Sequence, residues 1–153
     1  MEYDLVILAG GIGSRLNNVN KNKLPKPLIK FNNFHFLDYI LMKFSKFNFN
    51  KVYILTSYKG YMFKKYKSKF INFQNIEVIY EKKLMGTGGS LLKIKKKLNN
   101  NFLLINGDTY FDINIYKFIK DSKNKLCNIA LSNFDNYKSN TNLTLKKRKK
   151  IKR

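Results

Sequence analysis

What the 153-residue sequence lacks narrows the field first. It holds one cysteine, Cys127, which excludes an internal disulfide and fits a reducing cytoplasm. Cys127 lies in the apolar run Leu126–Leu131, where a buried, inert thiol is expected. The one histidine, His35, has no Cys or His companion, which argues against a zinc site. No stretch of about 20 apolar residues occurs, so no membrane span is expected. The start, Met1-Glu2-Tyr3-Asp4, has neither a basic segment nor a long apolar one, and no signal peptide is read there. Acids are scarce: 9 Asp and Glu stand against 31 Lys and Arg, a formal net charge of +22.

Such a charge attracts polyanions, whether nucleotides, nucleic acid or anionic membranes. A genome drifted towards A- and T-rich codons yields the same abundance of Lys, Asn, Ile, Phe and Tyr with no polyanion partner. Because the lysines are spread over every segment, the compositional reading is preferred and no specific nucleic-acid partner is expected. The final eleven residues, Leu143 to Arg153, carry seven positive charges. The expected organisation is one domain over residues 1–133 and a basic, disordered tail over 134–153.

What the sequence does contain is an alternation of short apolar runs and helical stripes. Strands are expected at Leu5–Ala9, Lys51–Thr56, Ile76–Tyr80, Phe102–Ile105 and Leu126–Leu131. Helices are expected at Phe36–Phe47, Gly60–Phe70, Ser90–Leu98 and Ile113–Ile119. The pattern predicts an α/β fold: a Rossmann-like, mostly parallel sheet with helices on both faces. Ligands of such sheets sit beyond the carboxyl ends of the strands. Three polar clusters fall at such ends, which points to one site.

The first cluster is Leu8-Ala9-Gly10-Gly11-Ile12-Gly13-Ser14-Arg15-Leu16. Glycines let backbone amides approach a phosphate, and Arg15 adds a planar fork for its oxygens. A tight strand-to-helix turn with a surface arginine is the other reading. The loop lacks the Gly-Lys-Ser/Thr of a P-loop, and Leu16 stands where a dinucleotide fingerprint needs its third glycine. Asp38 lies near where a ribose-binding acid belongs, which keeps that reading weakly open. Next comes Lys23-Leu24-Pro25-Lys26-Pro27-Leu28, in which two prolines fix the backbone around Lys26 and are expected to keep it out of a helix. A lysine so held suits gripping a phosphate. The second strand-end cluster, Glu81-Lys82-Lys83-Leu84-Met85-Gly86-Thr87-Gly88-Gly89-Ser90, offers bare amides that can read the edge of a base, or a helix start capped by Thr87 or Ser90. The third is Asn106-Gly107-Asp108-Thr109, where Asp108 is either a hard ligand for Mg²⁺ or a turn residue.

Taken together, the glycine loop and Pro25-Lys26-Pro27-Leu28 resemble the signature of the sugar-1-phosphate nucleotidyltransferase family, and the likeness runs from Tyr3 to about Leu131. The clusters Leu84–Gly89 and Asn106–Phe111 look most like its D-glycero-D-manno-heptose 1-phosphate guanylyltransferase branch. The resemblance implies the nucleotide-diphospho-sugar transferase type of fold, with nucleoside triphosphate (GTP before UTP) and sugar 1-phosphate as partners and Mg²⁺ as cofactor. It also implies a cytoplasmic role in surface glycan synthesis and leaves a homo-oligomer open. Residue by residue it implies catalytic Arg15 and Lys26, and nucleotide contacts at Leu8, Ala9, Gly10, Gly11, Gly13, Glu81, Gly86, Thr87 and Gly88. Asp108 is implied as metal ligand. Family members are longer and carry a second metal aspartate that Asp112, Asp121 and Asp135 come too early to match. The chain is therefore expected to lack the last part of the family fold. Two other readings remain: an inactive remnant or nucleotide-binding module, and a basic nucleic-acid-binding protein.

Overall fold

The computed structural model describes residues 3–13, 24–64, 66, 76–83 and 85–130. The chain divides into two compact units, Met1–Phe111 and Asp112–Arg153. In the first, strand β1 (Tyr3–Leu8) is followed by a single 3-10 turn at Lys26–Leu28 and a two-rung antiparallel hairpin, β2 (Lys30–Phe31) and β3 (Phe34–His35). Then come α1 (Phe36–Phe44), β4 (Val52–Thr56), α2 (Tyr61–Lys64), β5 (Ile76–Tyr80), α3 (Gly86–Ile94) and β6 (Asn101–Asn106). The second unit contributes α4 (Ile115–Ser122).

The four long strands form one parallel sheet in the order β5-β4-β1-β6. Parallel strands are covered on both faces, which explains why β1 and β4 read as continuous apolar runs without alternation. On one face Val6, Tyr53 and Leu55 pack with Ile94 of α3, joined by Leu8, Ile79, Leu91 and Leu104. On the other, Leu5, Ile7, Ile54, Leu103 and Ile105 are buried too, and α1 buries Leu37, Ile40, Leu41 and Phe44 in the same unit. The apolar stripe of α3 is Leu91, Ile94 and, just past its end, Leu98; Leu92 points to solvent at 69% exposure.

The four strand-like runs of the first unit become strands within a residue or two of expectation, and α1 ends at Phe44 instead of Phe47. The Gly60–Phe70 helix is a single turn at Tyr61–Lys64; residues 65 and 67–70 lie outside the described set. The fifth strand does not form: residues 126–130 are irregular, Leu126 is fully exposed, and Cys127 is exposed instead of buried. An apolar hexapeptide becomes a strand only when a neighbour supplies a hydrogen-bonding ladder, and among the described residues none pairs with it. Lys26 also departs from expectation, since it opens the 3-10 turn, closed by Leu28 N–H to Pro25 O at 2.8 Å and Ile29 N–H to Lys26 O at 3.1 Å. Pro27 fits there because a first-turn residue has no amide partner to lose.

Among the described residues no helix is long and apolar enough to cross a membrane.

Candidate active site

The strand order places the site. From β1 the chain moves outward through β4 to β5, then returns to add β6 on the opposite side of β1. A reversal of strand order of this kind opens a crevice at the carboxyl ends, between β1 and β6. A cavity of about 320 Å³ lies at those ends, and the polar clusters converge on it. The loop after β1 lines it with Leu8, Ala9, Gly10 and Gly11; the end of β6 supplies Asn106 and Asp108. Glu81 follows β5, Gly86, Thr87 and Ser90 come from α3, and Lys26 and Pro27 come from the 3-10 turn.

Two glycines make this convergence sterically feasible. Gly107 N–H donates to Leu8 O at 2.8 Å, drawing the end of β6 over β1, and a Cβ at Gly107 would lie 2.9 Å from that same oxygen. Gly13 has φ +72° and lies against the stem of Lys26, whose Cγ would stand 2.7 Å from a Cβ there. Only a residue without a side chain allows both the left-handed backbone and the contact. Gly13 thus sits beside the cavity through Lys26. Gly88 is exposed at the start of α3 and is not part of the lining. Arg15 lies outside the described residues.

The charges in the cavity are arranged in two groups. Lys26 Nζ donates to Asp108 Oδ2 at 3.0 Å, while Thr109 Oγ1 donates to Asp108 Oδ1 at 3.3 Å. Glu81 is buried, held by its own N–H to Thr56 O at 2.7 Å, which continues the β4–β5 ladder beyond the strand. Ser90 Oγ stands 2.9 Å from Glu81 Oε2 and 3.0 Å from Gly86 O, so its one proton is shared between the carboxylate and the carbonyl a turn back along its own helix. Glu81 Oε1 is buried with no hydrogen-bond partner among the described residues. A buried acceptor left so costs roughly 1–3 kcal/mol and suits a ligand that brings a donor. The first turn of α3 has no side-chain cap, so neither Thr87 nor Ser90 caps it, and the amides beside Gly86 and Thr87 are left for solvent or ligand. The sequence marked Ser90 only as a candidate cap; that it orients Glu81 follows from its place one helical turn after Gly86, visible only once α3 starts at Gly86.

Asp38, the acid that kept a dinucleotide reading open, does not line the cavity. It is buried in the capping box of α1, accepting His35 N–H at 2.8 Å and the Tyr66 hydroxyl. Among the described residues no group of three His, Cys, Asp or Glu gathers as a metal cage.

The Nucleotidyl transferase family model matches residues 5–142. The chain belongs to that family. The chain is 36% identical over 136 residues to D-glycero-alpha-D-manno-heptose 1-phosphate guanylyltransferase of Campylobacter jejuni, covering 86% of this chain and 60% of the relative. The enzyme of that name from Aneurinibacillus thermoaerophilus is 34% identical over 118 residues, covering 76% of this chain and 51% of the relative. Among solved structures, HddC from Yersinia pseudotuberculosis complexed with GMP-PN superposes with a TM-score of 0.70 at 33% identity, over 80% of this chain and 55% of that one. The chain therefore spans a little over half the length of the relatives it matches.

Proposed function

We propose that this chain forms the nucleotide-binding part of a sugar-1-phosphate guanylyltransferase, which transfers GMP from GTP to a heptose-type or mannose-type sugar 1-phosphate and releases pyrophosphate. The observation that carries the reading is the convergence of Lys26, Asp108, Glu81 and two glycine-rich segments on one cavity at the switch point of the sheet. The guanylyltransferases among the relatives support the choice of base and sugar.

In this reading a phosphate oxygen of the sugar 1-phosphate attacks the α-phosphorus, forming a P–O bond as the bond to the β-phosphate oxygen breaks. The nucleophile is already an anion, so no general base is required, and catalysis consists of positioning and charge neutralisation. The amides of Gly10, Gly11 and Gly13 cradle the triphosphate. Arg15 neutralises the departing pyrophosphate, and Lys26 holds the α-phosphate against the sugar phosphate. Asp108 is the protein's ligand for Mg²⁺, which supplies Lewis-acid charge when bound. A lone carboxylate fits an ion that keeps most of its waters and leans on substrate phosphates. Glu81 Oε1 accepts from N1–H or N2–H of guanine, while amides at Gly86, Thr87 and Gly88 contact the rest of the base edge. The location of such an enzyme is the cytoplasm, where nucleoside triphosphates are found.

The test is a panel of the four triphosphates with Mg²⁺, bound to the 153-residue chain by calorimetry. Pyrophosphate release with heptose 1-phosphate and mannose 1-phosphate completes it. GTP should bind tightest, and Glu81→Leu, which removes both carboxylate oxygens, should reduce the GTP-to-UTP preference by about tenfold or more, as for loss of one buried acceptor. A clear preference for UTP in the wild type would move the protein to the uridylyl branch.

A further inference from the structure

The two residues assigned to the cation and the phosphate are bonded to each other. Lys26 Nζ lies 3.0 Å from Asp108 Oδ2, and Asp108 Oδ1 accepts from Thr109 Oγ1 at 3.3 Å. Both carboxylate oxygens are thus engaged within the chain, and the ammonium already has a counter-charge. Lys26 has little freedom to turn aside, because Pro25 and Pro27 flank it and Gly13 packs on its stem. Yet the pair is open to solutes, its side chains being 27% and 38% exposed.

We propose that the Lys26–Asp108 ion pair masks the site against either half of its ligand alone, so that a divalent cation and a polyphosphate bind as one. This rests on the reading of Asp108 as cation ligand and Lys26 as phosphate ligand given above. A cation arriving by itself meets the ammonium 3.0 Å from the oxygen it needs. A polyphosphate arriving by itself meets the Asp108 carboxylate beside the ammonium it needs. When both arrive, the carboxylate exchanges its ammonium for the cation and the ammonium exchanges its carboxylate for a phosphate, and no charge is left unpaired. Like charges a few ångströms apart at a partly wetted site repel enough to weaken binding by about tenfold. Each partner therefore raises the affinity of the other, and linkage makes the two effects equal.

The proposal predicts that removing either member improves binding of the opposite lone ligand. Mn²⁺ alone is titrated into the 153-residue chain and counted by its free-ion electron paramagnetic resonance signal; tripolyphosphate alone is titrated by calorimetry. Lys26→Gln should tighten Mn²⁺ binding by about tenfold, and Asp108→Asn should tighten tripolyphosphate binding by a similar factor. Lys26→Met is carried in parallel, and thermal melting checks that each variant folds. Unchanged or weaker binding of the lone ligands in both variants overturns the masking. The double variant separates this failure from that of the functional reading. Loss of the Mn²⁺ gain in Lys26→Gln/Asp108→Asn shows that Asp108 receives the cation and upholds the proposal. Retention of the gain removes Asp108 as cation ligand and overturns both. If the lone-ligand affinities do not move while GTP with Mg²⁺ still requires both residues, the functional reading stands and the masking alone is wrong.

Discussion

Lys26 meets three constraints at once: Pro25 and Pro27 on either side, Gly13 against its stem, and Asp108 at its tip. A cation placed by so many contacts loses little entropy when it grips a phosphate, which is the advantage of preorganised charge. Lys26→Ala and Arg15→Ala should each lower turnover of the whole enzyme by about 10²-fold or more without unfolding it, the cost typical of removing one preorganised electrostatic donor. Steady-state pyrophosphate release with melting curves is the measurement, and near-normal turnover in both variants would remove them from catalysis. Lys26 was legible because two prolines around a lysine are unusual even in a lysine-rich chain. The pairing with Asp108 was not, since it joins residues 82 positions apart.

At the scale of elements, the carboxyl ends of β1 and β6 are held together by Gly107. Its amide bonds to Leu8 O, and an added Cβ meets that oxygen at 2.9 Å, a backbone atom that cannot swing away. Gly107→Ala should therefore destabilise the domain by about 1–3 kcal/mol, the usual cost of overpacking, and displace Asp108. Urea unfolding together with Mn²⁺ binding in the presence of GTP checks both effects; an unchanged midpoint would show that the strands part without penalty. The opposite ends of the strands carry a different device. Glu77 of β5 accepts from Lys97 and pairs with Lys51 at 3.5 Å. The hydrogen bond from Lys97 is the largest influence, and with the two lysine charges it outweighs burial, so the Glu77 carboxyl is held below its ordinary pKa. A depressed carboxylate stabilises the fold above its unfolded pKa, and that contribution disappears as pH falls through the ordinary glutamate range towards the folded value. Glu77→Gln should lower the urea midpoint at pH 7, and the difference should shrink as the pH falls through the ordinary glutamate range. A loss that does not change with pH would rule out the ion pair as the cause.

For the whole molecule, the lysines behind the net charge of +22 occur in every segment of the sequence. Binding to nucleic acid should accordingly be electrostatic and indifferent to sequence. Duplexes of unrelated sequence should compete equally, with affinity falling steeply between 50 and 200 mM salt, as about one counterion is released per neutralised phosphate. A preferred sequence that survives the higher salt would contradict this and revive the nucleic-acid reading. The cavity differs in kind, because two carboxylates, Glu81 and Asp108, and one lysine, Lys26, line it.

The sequence by itself determined the parallel sheet, since buried strands need continuous apolar runs. It also marked most of the residues that line the cavity, since glycine, proline and aspartate interrupt strands and helices and gather where those elements end. Contacts between distant segments decided the rest. Leu126–Leu131 is as apolar as β6 but has no ladder among the described residues, so its first five residues stay irregular. Asp38 went to a helix cap instead of a ligand because α1 begins at Phe36. Ser90 became the partner of Glu81 because α3 starts one turn earlier than its apolar stripe. Local pattern specifies which face a residue presents; which group it meets there depends on strand order, and that exists only in the folded chain.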